Sequence, residues 1–419
     1  MPNQQLNLRG AVAIGIASMV GAGVFVVFRE ATALAGGYLW WAMLLAATVA
    51  SLNAASVYQL AAVHDRPGGV YSYARVYLND NWSFVAGFAF VVGKIGSIAA
   101  IALVLGEYLA PLPRALTASI TILLLTAINV MGINRTATAA KVLAVITLAY
   151  FSIAVVFGIF WGSVMPSLGD GFSSGAEQKA ISNIDSLPSD IAGLLPAAAV
   201  IFFAFAGYAR VANLGRDVID ARRNIPKAIR ASLILVIVLY FALAFVLVLN
   251  FGAALATLDS PFQALYQRIF PSLAGWVTQS VAVAACLGSI LALLAGVSRT
   301  AATMAEDREL PALIERRNRF GSPWIAEIII AVGSILVLQF GELAWVIGFS
   351  SLSVLLYYAI GHLSALRQPS SERLIPRFSS YLGFALCVLL LVAVPGPALW
   401  VSALILLVAI LIRKLVRVN

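Results

Sequence analysis

The stretch Ser18-Met19-Val20-Gly21-Ala22-Gly23-Val24-Phe25 places two glycines in the middle of a long apolar run. Each glycine costs about 1 kcal/mol relative to alanine inside a helix. In a bilayer, any backbone group it frees must be satisfied by something buried. Close helix packing through small residues is one use of such a stretch; a deliberate break is the other. A second interruption, Phe202-Phe203-Ala204-Phe205-Ala206-Gly207-Tyr208, stands in the middle of another run. A broken helix offers what a zwitterion needs. The second half begins with unpaired N–H groups and the positive end of a dipole, which suit a carboxylate. The first half ends in bare carbonyls, which suit an ammonium group. Backbone at Ala17, Ser18, Gly21, Ala22 and Gly23 is the candidate carboxylate seat. Carbonyls near Ala17 and across Phe202, Phe203 and Phe205, with Gly207 in the second break, are the candidate ammonium seat. No charged side chain is required.

One charged side chain is nevertheless present. Lys94 lies about eleven residues into a third apolar run, near the midplane, where an isolated charge costs about 2.5–3.5 kcal/mol on insertion scales. Three roles are open to it: a proton carrier, a counter-charge for an acidic substrate, or a structural lysine bonded to backbone. Glu107, near the outer end of the same run, reads as interfacial.

The elements that must position these residues are legible in composition. The chain has 419 residues, 62% hydrophobic and 11% charged, against roughly 25% charged in soluble domains. The apolar residues come in runs of about 18 to 28, the length of a bilayer-spanning helix. Twelve such runs are expected. The first, roughly 10–35, lacks a cleavage site after a short apolar core and is expected to be retained. If spans one to five and six to ten are two copies of one unit, the two breaks fall at matching positions. That pattern points to a binding site between repeats. The expected divisions are 1–163, an external loop at 164–189, a second repeat at 190–366, and two further helices over 367–419.

The net charge of +9 needs no nucleic-acid partner. Of the 27 Lys and Arg, only Arg29, Arg114, Lys179 and Arg268 fall on the side opposite the N-terminus, and Lys94 falls within the membrane. This is the positive-inside pattern. It predicts a multi-pass protein of the inner (plasma) membrane with both termini cytoplasmic. Trp40, Trp41, Trp161 and Trp276 near span ends read as interfacial anchors. Cys286 and Cys387 read as small buried hydrophobes, and neither His64 nor His362 belongs to a metal-ligand cluster. No cofactor is expected. The chain contains no HExxH, no GxSxG and no His-rich cluster, which argues against an enzyme. It also contains no filter-like polar run, which argues against a channel.

Four stretches, in order, resemble the amino acid–polyamine–organocation superfamily of permeases. They are GAGVF at 21–25, Arg66-Pro67-Gly68-Gly69-Val70-Tyr71-Ser72-Tyr73-Ala74-Arg75, FFAFAGYARVANLGRDVIDARRNIPKAI at 202–229, and SRTAATMAEDRELP at 298–311. The resemblance implies an all-α membrane fold of 12 transmembrane helices. It is a LeuT-like 5+5 inverted repeat with interrupted helices 1 and 6, as in bacterial leucine and arginine transporters. It also implies that the carboxylate sits on the amides at 21–23 and that Phe203 gates the bound substrate. Ser97, in Ile95-Gly96-Ser97-Ile98, resembles a substrate-contacting stretch of the arginine/agmatine antiporter.

Three departures stand out. Thr147 falls where many members carry a coupling lysine, and Lys141 lies about six residues earlier. Glu306 and Arg308 stand where many members have arginine and glycine. Arg210 lies just past the second break, where relatives often have an acid. Asp217 keeps the acid of the next motif and is a candidate gate partner of Arg299. The reading that results is a secondary transporter working by alternating access on amino acids, with H+ or Na+ coupling or exchange. Apolar surroundings (Phe202, Phe203, Phe205, Ile95, Ile98) favour a neutral, aliphatic side chain. The alternative is a cationic amino acid or polyamine exchanger or exporter. The expected partners are the small-molecule substrate and the lipid bilayer.

Overall fold

The computed structural model describes residues 7–21, 23–64, 68–109, 112–131, 133–164, 191–212, 218–340, 342–394 and 396–418. Every regular element among them is helical. Ala22, Asp217 and the expected external loop lie outside the described residues, the loop save for its first residue.

Helix α1 (Leu8–Met19) is capped by Asn7, whose side chain accepts from the Gly10 N–H at 2.9 Å. The helix stops at Met19, and α2 (Gly23–Ala35) takes up after it. The chain continues through α3 (Leu39–Val63), α4 (Val70–Tyr77), α5 (Asp80–Tyr108), α6 (Arg114–Val130) and α7 (Ile133–Val164). Asn79 caps α5 by accepting from the Asn81 and Trp82 amides, each at 3.0 Å. Asp80 in the first turn complements the helix dipole. The sixth run is again in pieces: α8 (Leu194–Phe205) ends, and α9 (Ala209–Ala212) follows. Then come α10 (Ala221–Phe251), α11 (Pro261–Ile269), α12 (Ala274–Glu306), α13 (Trp324–Gln339), α14 (Leu343–Arg367), α15 (Arg377–Ala393) and α16 (Gly396–Val418).

Five helical stretches among the described residues are long and apolar enough to cross a membrane: Gly23–Val63, Asp80–Tyr108, Ala221–Ala256, Ala274–Glu306 and Leu343–Arg367. Their burial sorts them. The apolar windows of α5 and α14 are 78% and 83% buried, whereas that of Ala221–Ala256 is 44% buried. The first two are therefore central. The outer face of α10 (Ile234, Leu235, Val238, Phe245) is exposed and apolar, as a lipid-facing surface must be. Helix α5 packs on α12, α13 and α14, α2 and α3 pack on α8, and α1 packs on α10. This arrangement lays the two broken helices side by side, with α5 and α12 beside the breaks.

At the end read as cytoplasmic, three separate elements are tied by charge. Glu309, beyond the end of α12, is fully enclosed as a side chain. It accepts from Arg75 of α4 at 2.6 Å and from Arg413 of α16 at 2.5 and 3.1 Å. Arg75 also pairs with Asp307 at 2.9 Å. Arg413 donates to the Asn81 side chain at 2.7 Å and to the Asp80 carbonyl at 3.0 Å. Tyr71 donates to Asp307 at 2.7 Å. Burial and that hydrogen bond push the Tyr71 phenol above its ordinary range, so it stays a donor. Next to this network, Arg308 has φ +58°, the left-handed region that glycine enters freely. The family's glycine at this position is thus explained by backbone geometry. The other departure, Glu306, is paired with Arg317 at 3.0 Å.

Candidate substrate site between the two broken helices

The first break closes on itself by short turns. The Val20 N–H bonds the Ile16 carbonyl at 2.7 Å, and the Gly21 N–H bonds the Met19 carbonyl at 2.8 Å. In the second break, Ala206 bonds the Phe203 carbonyl at 3.3 Å and Gly207 bonds the Phe205 carbonyl at 2.8 Å. The breaks touch. A Cβ placed on Gly207 would overlap the Ser18 carbonyl, so only glycine lets the two backbones meet at this point.

Two side chains supply donors to the breaks: Tyr240, for which the sequence offered no motif, and Lys94, for which a bond to backbone was one of three open roles. Tyr240 of α10 sends its hydroxyl to the Met19 carbonyl at 2.8 Å and the Ala204 carbonyl at 3.2 Å. One phenol therefore bridges a carbonyl of each broken helix, adding to the Gly21 N–H that Met19 already accepts, in a setting where buried backbone groups must find partners. Lys94 donates from Nζ to the Ala206 carbonyl at 2.9 Å. A Tyr240→Phe substitution keeps the packing of the ring on Phe205 and takes the hydroxyl from both carbonyls, of which Met19 retains the Gly21 N–H. It is expected to cost about 1–3 kcal/mol, read as a lower melting temperature of the purified protein. An unchanged melting temperature would mean that another donor replaces the hydroxyl.

Between the breaks lies a narrow cavity of about 40 Å³, room for roughly three waters. Of the expected site residues, Ser18, Gly21, Gly23, Lys94, Ser97, Phe203 and Gly207 all line it. Phe203 covers Gly23 closely, its ring carbons 3.2 and 3.3 Å from where a Cβ would stand. Ser97 faces the cavity, but its hydroxyl is shared with Ser350 of α14 at 2.7 Å.

Other expected residues are elsewhere. Phe202 turns into the core against Tyr358, with ring centroids 6.0 Å apart. Phe205 packs on Tyr240 at 4.9 Å. Ala17 is half-buried on α1 and does not line the cavity. Thr147 is buried, with its hydroxyl on the Leu143 carbonyl of its own helix at 2.8 Å, and is also outside the lining. Arg299 lies in α12 within electrostatic range of the buried Glu327 carboxylate.

The helical period explains both the hits and the misses. On α5, Lys94, Ser97 and Ile101 lie at i, i+3 and i+7, one face of a helix. Ile95 and Ile98 are turned off that face: Ile95 packs beside Gly333 and Ile98 is wholly buried in the core. The apolar lining is instead Ile101, Ala292 and Leu293, with Phe203. Ala292 and Leu293 share a face of α12 with Ser289 at i, i+3 and i+4. A Cβ on Gly21 would overlap the Ser289 hydroxyl. Among the described residues no Asp or Glu lines the cavity and no carboxylate pairs with Lys94.

The arrangement can hold a small polar solute between backbone at two helix breaks, one ammonium and an apolar wall. Several known proteins are similar to the chain. The chain is 37% identical over 397 residues to an uncharacterised transporter of Mycobacterium tuberculosis, covering 94% of this chain and 86% of the relative. It is 24% identical over 368 residues to the methylthioribose transporter of Bacillus subtilis, covering 81% and 76%. It is 24% identical over 331 residues to cationic amino acid transporter 7 of Arabidopsis thaliana, covering 72% and 54%. The family model for amino acid permeases matches residues 6–412, and the chain belongs to that family, as a membrane transporter of the amino acid–polyamine–organocation superfamily.

Proposed function

We propose that the chain is a secondary active transporter that carries small neutral amino acids by alternating access, with twelve spans, two inverted five-helix repeats and both termini in the cytoplasm of a plasma-membrane protein. The observation that carries this reading is the meeting of the two helix breaks at one cavity lined by Ser18, Gly21, Gly23 and Gly207. Backbone groups at such breaks bind both ends of a zwitterion. The apolar wall of Ile101, Ala292, Leu293 and Phe203 suits an aliphatic side chain. The cavity is narrow, so Phe203 must swing to admit substrate, and its closing over Gly23 fits a gate. Shorter apolar helices, Leu8–Met19, Arg114–Val130, Ile191–Phe205 and Trp324–Gln339, supply further spans. Coupling to H+ or exchange completes the cycle. Two relatives in Arabidopsis thaliana named cationic amino acid transporters support a second reading, a cationic amino acid or polyamine exchanger. The Lys94 ammonium in the cavity stands against it.

The test is thermal stabilisation of the detergent-purified protein by the twenty amino acids, putrescine, spermidine and methylthioribose, followed by uptake into proteoliposomes. A ligand at 100 times its Kd stabilises by about 2.7 kcal/mol. A shift with small aliphatic amino acids, lost in Gly23→Leu, is the expected result. A shift with arginine, lysine or the polyamines alone moves the assignment to the second reading. A shift with methylthioribose alone overturns the amino-acid reading.

A further inference from the structure

Lys94 occupies the place where a substrate ammonium would be received. Its Nζ is 2.9 Å from the carbonyl of Ala206, the first residue after α8. Its side chain is buried, with the Phe90 ring centroid 6.0 Å from Nζ. Among the described residues no acid lines the cavity, and the ammonium has a neutral acceptor as its hydrogen-bond partner. The positive end of α2 opens onto the same space at Gly23. The site is therefore electropositive, in a medium where like charges are poorly screened.

Resting on the amino-acid reading above, we propose that Lys94 is the specificity-determining charge of the site. On binding, its ammonium pairs with the substrate carboxylate and leaves the Ala206 carbonyl to the substrate ammonium. The zwitterion is thereby inserted between Lys94 and Ala206. One hydrogen bond, ammonium to carbonyl, is replaced by two charge-assisted ones, ammonium to carboxylate and ammonium to carbonyl. Net charge in the cavity does not change. A cationic side chain brings a further positive charge into a cavity that offers it no acid among the described residues, and a polyamine, lacking a carboxylate, also leaves Lys94 unpaired; both are refused. An uncharged side chain brings none and lies on Ile101 and Leu293. The carboxylate has two oxygens, so it can meet the start of α2 and Lys94 together. Lys94 is within reach of this role because Lys94, Ser97 and Ile101 share one helical face on the cavity.

The experiment measures Kd of the full-length purified protein for alanine, valine, leucine, arginine and putrescine by titration calorimetry, in wild type, Lys94→Met and Lys94→Arg. Wild type is expected to bind at least one of the three neutral amino acids and neither cation. Lys94→Met, which keeps the apolar stem, is expected to lose about tenfold or more in neutral affinity, the worth of one charge-assisted hydrogen bond. It is also expected to narrow or reverse the gap between leucine and arginine. Lys94→Arg is expected to keep the wild-type order, because the charge remains, and it serves as the informative variant if the methionine protein does not fold. Neutral binding unchanged in Lys94→Met, or arginine and putrescine bound by wild type as well as the neutral amino acids, would overturn the role given to Lys94 and leave the amino-acid reading standing. No binding of any amino acid to wild type overturns that reading, and the inference with it.

Discussion

Gly207→Ala is expected to abolish transport and to destabilise the folded protein by about 3 kcal/mol or more, at or beyond the upper end of ordinary overpacking. The added methyl would overlap the Ser18 carbonyl and come within 2.7 Å of the Met19 amide nitrogen. Both are backbone atoms at the end of α1, and neither can rotate away. The two broken helices would have to separate, which would pull Met19 and Ala204 away from the one hydroxyl that serves both. The other glycines of the site set a graded comparison. A methyl at Gly21 meets the Ser289 hydroxyl, and one at Gly23 meets the Phe203 ring. A serine rotamer and an aromatic ring can both yield, so those alanine variants are expected to be milder in stability. Gly23→Ala should act chiefly on substrate binding. Gly37→Ala has nothing within 4 Å of its new methyl and serves as the control. The measurement is the apparent melting temperature of the four purified variants beside their uptake in proteoliposomes. A Gly207→Ala protein as stable as Gly37→Ala would show that the breaks do not need to touch.

Much of this site was legible before any coordinates, and the reason is physical. Glycine at mid-depth of an apolar run is costly, so Gly21, Gly23 and Gly207 announced themselves as breaks. A lysine in such a run is costlier still, so Lys94 announced itself as a candidate. What sequence could not supply was phase. Phe202, Phe203 and Phe205 look alike along the chain, yet only Phe203 faces the cavity, because helical rotation sends its neighbours to Tyr358 and Tyr240. Ile95 and Ile98 fail for the same reason. Ile101, one turn beyond Ile98, lines the wall instead. Nor could sequence pair residues across helices. The Lys94 bond to Ala206 spans 112 positions and the Tyr240 bond to Met19 spans 221. No local pattern encodes either crossing. Ser289 sits in α12 with no motif around it. The four family stretches were a different kind of signal, and the match to amino acid permeases over residues 6–412 agrees with the family they resemble.

The charge cluster of Arg75, Glu309 and Arg413 is the clearest case of a feature hidden in sequence, since Arg413 and Glu309 lie 104 positions apart. Basic residues at span ends read equally well as topology signals. Glu309→Ala is expected to cost about 3–5 kcal/mol, the usual loss when one partner of a buried ion pair is removed. The Glu309 carboxylate is wholly enclosed, and the Arg413 side chain is only 7% exposed. Removing the acid leaves two guanidinium groups facing each other, with Arg413 in a place that water does not reach. Arg75 is less affected, because Asp307 at 2.9 Å and Asp80 at 3.4 Å remain to it. Among the described residues Arg413 keeps as hydrogen-bond acceptors the neutral Asn81 and Asp80 carbonyl oxygens. The imbalance predicts which second substitution rescues the first. Arg413→Met, added to Glu309→Ala, removes the stranded charge and keeps the stem packed on Phe84, whose ring centroid lies 4.7 Å from the guanidinium carbon. It should restore a large part of the lost melting temperature, whereas Arg75→Met should restore little. The full cycle of single and double variants measures this coupling directly. A double variant no more stable than Glu309→Ala would mean that the loss comes from the packing of the α12 terminus and not from the unpaired arginine.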